Sequence, residues 1–156
     1  MLTPMSGFDA ESTEAQPAPS LRATMSAVLS RRLIDAALAE ATRATVSVTV
    51  VVVDESGVLK ELVPMDGAPL VSVQTAINKA YAAAAIGMPP DDFYAAIESD
   101  GAAVAEFATR PGLALIAGGL PVIAGGQPAG AIAVAGAMTG AEDRRIAEVA
   151  ISSAMG

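Results

Sequence analysis

The segment from Leu113 to Gly136, LALIAGGLPVIAGGQPAGAIAVAG, limits the fold more than any other part of the chain. Gly118-Gly119, Pro121, Gly125-Gly126 and Pro128 interrupt it every few residues, so no helix can run through it. Short apolar runs between such breakers predict three tight antiparallel strands, a β-meander. In the last of them side chains alternate between faces, with Ala129, Ala131, Ala133 and Ala135 on one side and Gly130, Ile132, Val134 and Gly136 on the other. Residues this small let something come close to the backbone: a packed helix, a neighbouring subunit or a flat ligand. The sequence leaves those three open.

The rest of the chain supplies a partner layer for such a sheet. Residues 1–20 are rich in Pro, Ser, Thr and acids without an apolar period, which predicts a disordered arm that lacks the basic start and apolar core of a secretory signal. From Leu21 to Arg43 helical spacing sets in, with Leu29, Leu33 and Ala37 on one stripe. The run TVSVTVVVVD from Thr45 is β-branched with period two and predicts a central strand. Asp54 to Gly57 has turn chemistry, and Val58 to Val63 returns as the second strand of a hairpin. After the turn Asp66-Gly67-Ala68-Pro69, a helix is expected from Leu70 to Ile86. Val73, Ile77, Ala80, Tyr81 and Ala84 form its apolar stripe, and Ser72, Thr75 and Lys79 lie on another side. Pro89-Pro90 with Asp91 and Asp92 opens a helix running to about Ser99, and a shorter one follows over Ala102 to Ala108. Thr139 and Glu142 make a capping box for a final helix from Ala141 to Ala154. Hairpins separated by helices predict one α/β (α+β) domain over residues 21–156, with an antiparallel sheet of about five strands flanked by helices.

Composition narrows the chemistry. The 156 residues include no cysteine and no histidine. That removes thiolate chemistry, the commonest general base and the commonest metal ligand, and no metal site is expected. A net charge of −8 with only nine basic residues argues against nucleic acid as a partner, because that affinity comes from neutralising phosphates. No uninterrupted apolar run is long enough for a bilayer, so no membrane partner is expected and a cytoplasmic location is.

Five motifs then carry a resemblance: Val53 to Gly57, Met65 to Ala68, Asn78 to Ala83, Gly118 to Val122, and Gly130 to Gly136 with Asp143. Their order and spacing resemble the GlcG/HbpS-like family, which includes the C-terminal domain of PduO-type corrinoid adenosyltransferases. The resemblance covers about residues 21–154. It implies a profilin-like sandwich around a five-stranded antiparallel sheet, assembly as a homo-oligomer, and a small-molecule ligand, haem being the one attached to the family's label. Two positions depart from the pattern. Pro64 stands where an arginine often precedes the Met-Asp pair, and Ala135 replaces a serine in the final Gly-Val-Ser-Gly motif.

Candidate site residues follow from side-chain chemistry. Asp66 and Lys79 can border one cleft if the helix between them packs along the sheet, and Tyr81 can assist as a hydroxyl donor. A buried lysine can act as base or imine former, although an ion pair or a turn cap explains the same residues without function. Gly118 and Gly119 can present amides to an anion, as can Gly125 and Gly126, or all four can simply make hairpin turns. Neither pair matches a phosphate-binding loop or opens directly into a helix. Met65, Met88 and Met138 sit beside turns, where methionine fills irregular apolar gaps or, rarely, ligates haem iron. Arg110 can clamp a carboxylate. The expected catalytic set is therefore Lys79, Asp66 and Tyr81, and the expected ligand-binding set is Met65, Gly67, Gly118, Gly119, Arg110 and Met138. These support a small-molecule binding protein, with a metal-independent isomerase or lyase using Lys79 and Asp66 as the alternative.

Overall fold

The computed structural model describes residues 16–156, so most of the expected N-terminal arm lies outside the described residues. Residues 16–25 take no regular structure, and among them Met25 is buried, tying this stretch to the core. Helix α1, Ala27–Arg43, begins six residues later than its apolar spacing suggests, because the Ser26 hydroxyl caps it by accepting from the Leu29 N–H at 3.1 Å. Strands β1 (Thr49–Asp54) and β2 (Leu59–Pro64) form the expected hairpin. The Asp54 carboxylate closes its turn by accepting from the Ser56 and Val58 amides at 2.9 Å each. Helix α2 spans Leu70–Ile86, α3 Pro90–Ile97 and α4 Gly101–Ala108. Strands β3 (Gly119–Ala124) and β4 (Gln127–Ala135) precede the last helix, α5 (Gly140–Met155).

All strand pairs are antiparallel, and the sheet has four strands in the order β2-β1-β4-β3 rather than the expected five. The missing one is Leu113 to Leu115, which makes no ladder and lies half-buried beside α4. Its apolar side chains serve that contact and not a sheet. Gly125 and Gly126 make the two-residue β3–β4 turn with φ of 57° and 77°, the positive pair such a hairpin requires. Pro121 fits in β3 because that strand is an edge.

The two faces of the sheet are built differently. Val50, Val52, Ile132 and Val134 point to one side, where α1 and α5 cover them with Leu33, Ile34, Ile146 and Ala150. Val51, Val53, Ala131, Ala133 and Ala135 point to the other, where they meet Ala76, Ala80 and Ala83 of α2. Alanine against alanine brings α2 close to the sheet. Of the three occupants the slim face of β4 could admit, the one present is a helix of the same chain.

Candidate functional site

Close packing of α2 turns its polar stripe inward. Ser72 and Lys79 are buried, whereas Tyr81, expected on the apolar stripe, is 42% exposed. The Ser72 hydroxyl donates to the Pro69 carbonyl and shares a 2.8 Å hydrogen bond with the buried Thr49 hydroxyl. Lys79 reaches past the end of the sheet to the other helix layer, where its Nζ lies 2.8 Å from Asp143 Oδ2 and donates to the Val134 carbonyl at 3.1 Å. Both side chains of this ion pair are almost fully enclosed, at 2% and 5% exposure.

The surroundings complete the pair. Asp143 sits in the first turn of α5, where the helix dipole favours an anion, and its Oδ1 accepts from the Ala137 N–H at 3.0 Å. Burial nonetheless pushes the Asp143 carboxyl above the usual carboxylate range, opposed by the Lys79 ammonium and the Ala137 and Gly136 amides. Gly118 makes room for the contact. A Cβ there would lie 2.5 Å from the Val134 carbonyl oxygen and 2.7 Å from Lys79 Nζ, at a φ of 128° that side chains avoid. Next to it, a Cβ on Gly119 would lie 2.5 Å from the Lys79 carbonyl oxygen.

A cleft of about 450 Å³ opens over this pair. Lys79, Asp143 and Ser72 contribute to it, Thr75 and Gly136 border it, and Val71, Ile116 and Met138 are its apolar walls. The walls are 74%, 53% and 94% exposed, so the mouth is open. Pro69 also lines it, which places the N-terminus of α2 at the rim. That terminus has no capping side chain and no acidic residue in its first turn.

Residues 25–152 match the family model described as haem degrading protein HbpS-like. The chain belongs to the HbpS-like family. Streptomyces reticuli HbpS, solved as a double mutant, is 26% identical with a TM-score of 0.79, covering 100% of this chain and 99% of that one. Klebsiella pneumoniae ORFY has the same fold, with a TM-score of 0.81 at 24% identity over 88% of this chain and 95% of that one. A PduOC–haem complex shares it too, with a TM-score of 0.76 at 24% identity over 83% and 94%. Among curated proteins, a 15.0 kDa protein of the dhaT-dhaS intergenic region of Citrobacter freundii is 29% identical over 130 residues, 83% of this chain and 91% of its own length.

Within this HbpS-like fold the expected site residues separate. Lys79 and Met138 line the cleft, and Gly118 and Gly119 lie directly behind it against Lys79. Asp66 is exposed on the turn before α2, and the carboxylate that meets Lys79 is Asp143. Met65 packs against the α1/α5 core, and Gly67 lies beside Ser47. Tyr81 lies over the β1–β2 turn against Gly57, away from the cleft. Arg110 pairs with Glu106 at 2.5 Å and stacks over Phe107. Asp143, Ser72 and Ile116 line the cleft although they stand outside the expected site set, Ser72 being read only as part of the polar stripe of α2 and Asp143 only as part of the family's last motif and as a first-turn acid. Asp143 is 64 positions from its lysine, and in the sequence it reads as an ordinary first-turn acid.

Proposed function

We propose that this HbpS-like protein binds a small planar or apolar compound bearing an acidic group, held in the cleft between α2, the end of β4 and the start of α5. The observation that carries this reading is an open cleft with apolar walls over a buried, neutralised ion pair. Val71, Ile116 and Met138 offer faces for a flat apolar body, and the Thr75 hydroxyl, which donates to the Val71 carbonyl at 2.8 Å, can still accept from a ligand's donor. The uncapped first turn of α2 favours an anionic group at the rim. The Lys79 amine serves as floor rather than reagent, because imine formation or proton abstraction would require it to leave both Asp143 and Val134. This argues for binding over a lysine-based isomerase or lyase.

Haem comes forward from the family's description and from the PduOC complex. Its iron takes imidazole, thiolate, thioether or phenolate ligands. The chain has no histidine or cysteine, Tyr81 is outside the cleft, and the thioether lining it is that of Met138, 94% exposed at the mouth. This donor set does not fit iron ligated inside the cleft, so haem enters as one planar acid among others. Thermal-shift titration with hemin, protoporphyrin IX and a series of indole and naphthalene carboxylates tests the reading. At least one should raise Tm by about 2 °C or more, and Thr75→Trp, which fills the cleft, should abolish the shift. No shift with any of them, or the same shift in the filled variant, contradicts it.

A further inference from the structure

One hydrogen-bond donor of the cleft has no acceptor among the described residues. The side chains lining the cleft that can donate are those of Ser72, Thr75 and Lys79. The Ser72 hydroxyl gives its proton to the Pro69 carbonyl, and the Thr75 hydroxyl gives its own to the Val71 carbonyl. The Lys79 ammonium carries three N–H groups and meets two acceptors, the Val134 carbonyl and Asp143 Oδ2. Val134, Asp143 and the backbone at Gly118 close around Nζ, so the side left to the third N–H is the cleft. An enclosed charged donor without a partner is costly. Because the lysine is almost fully buried, its contact in the cleft is with a single ligand atom and not with a ligand face.

Charge decides what that atom is. Lys79 and Asp143 already balance each other, and a ligand carboxylate on Nζ would stand beside Asp143 as a second anion taken out of water. A hydroxyl avoids that cost. Its oxygen accepts from the spare N–H, and its proton can go to Asp143, which lines the cleft and has more acceptor sites than Lys79 and the Ala137 and Gly136 amides fill. The acid group of the ligand then belongs at the other end, at the uncapped first turn of α2. From Pro69 to Lys79 the axis of α2 runs about 15 Å, and a lysine leans back over the turn before it, so rim and floor stand about 10 Å apart. A cleft of about 450 Å³ takes a bicyclic body of that length.

We propose that the cleft selects a rigid apolar monocarboxylate with a hydroxyl at the end opposite its acid, and that Lys79 determines this specificity by donating its third N–H to the hydroxyl. This rests on the cleft being the ligand site. Titration calorimetry at about pH 7, where a naphthol is neutral, tests it with 2-naphthoate, 6-hydroxy-2-naphthoate and naphthalene-2,6-dicarboxylate. The hydroxy acid should bind the native protein about tenfold or more tighter than 2-naphthoate, the difference being one charge-assisted hydrogen bond. The diacid should bind more weakly than 2-naphthoate. In the double variant Lys79→Met, Asp143→Leu, the ratio of hydroxy acid to 2-naphthoate affinity should fall to about one. The native series decides even where that variant does not fold. Equal native affinities for the hydroxy acid and 2-naphthoate, a diacid held as tightly as the hydroxy acid, or a preference that survives in the double variant overturns the proposal. Equal binding that Thr75→Trp abolishes leaves the cleft as the ligand site and removes the hydroxyl contact alone. No binding by any of the three overturns the proposal as well, while binding of another acid from the wider series keeps the cleft reading standing.

Discussion

Replacing Lys79 with methionine removes one half of an enclosed ion pair and leaves the other. At 2.8 Å and an effective dielectric constant of about 20, the attraction between Lys79 and Asp143 is about 6 kcal/mol, much of it offset by the cost of taking both groups out of water. Breaking such a pair from one side costs about 3–5 kcal/mol, because the remaining charge is buried without a partner. Lys79→Met and Asp143→Leu should therefore each destabilise by that amount. The double variant, with apolar groups in both places, should recover most of the loss, giving a coupling energy of about 2 kcal/mol or more. Urea unfolding followed by far-UV circular dichroism measures all four proteins. The Lys79→Met variant carries a further signature. Burial already raises the Asp143 carboxyl, and loss of the Lys79 ammonium, which opposes that rise, lifts it further, so the folded state binds a proton more tightly than the unfolded chain does. Its stability should then fall as pH rises from about 5 to 8, the sign expected where the folded state holds more protons. Additive single losses, or a Lys79→Met variant with no such fall, would refute the account of an enclosed, mutually dependent pair.

Other perturbations test separate parts of the structure. Gly118→Ala should cost about 2 kcal/mol or more by thermal unfolding, because its Cβ meets Val134 and Lys79 at a φ of 128°. Gly126→Ala, with open space around it, should cost less. Glu40 bridges α1 to α5 by accepting from Arg43 at 2.5 Å and from Arg145, and these hydrogen bonds hold its carboxyl at about 2 against an ordinary 4.5. Its contribution to stability should be fully present above about pH 4.5 and lost as pH falls toward 2, and Glu40→Gln should flatten that part of the acid-unfolding curve. Ser26→Ala should lower stability by about 1 kcal/mol through loss of the α1 cap, read by the same urea titration.

How much the sequence discloses depends on whether the signal is local. Thr49–Asp54 is legible because β-branched residues in period two have few other solutions, and α2 because Pro69 and Gly87 bracket it. Leu113 to Leu115 misleads because a short apolar run is the same signal whether it pairs in a sheet or packs beside a helix. The stripe of Ser72, Thr75 and Lys79 is visible as a stripe, but its direction is not. Six alanines among the seventeen residues of α2, with Leu, Val and Ile at five more, leave little hydrophobic contrast to say which side is buried. The partner of Lys79 is hidden for a different reason. Asp66 is near in sequence and Asp143 is not, and only the route of β3 and β4 past Gly118 brings the latter within 2.8 Å. The pairing of a lysine in one helix layer with a glycine-lined passage and an acid in the other becomes apparent only once those layers are stacked.

The claim that the cleft over Lys79 and Asp143 is where a ligand sits is tested most directly by titrating ¹⁵N-labelled protein with the tightest-binding planar carboxylate and following backbone amide shifts. The account predicts the largest changes at Val71, Ser72, Thr75, Gly136, Ala137 and Met138, which surround that cleft. Changes centred instead on the Met65–Gly67 turn, or on Tyr81 and Gly57, would contradict it.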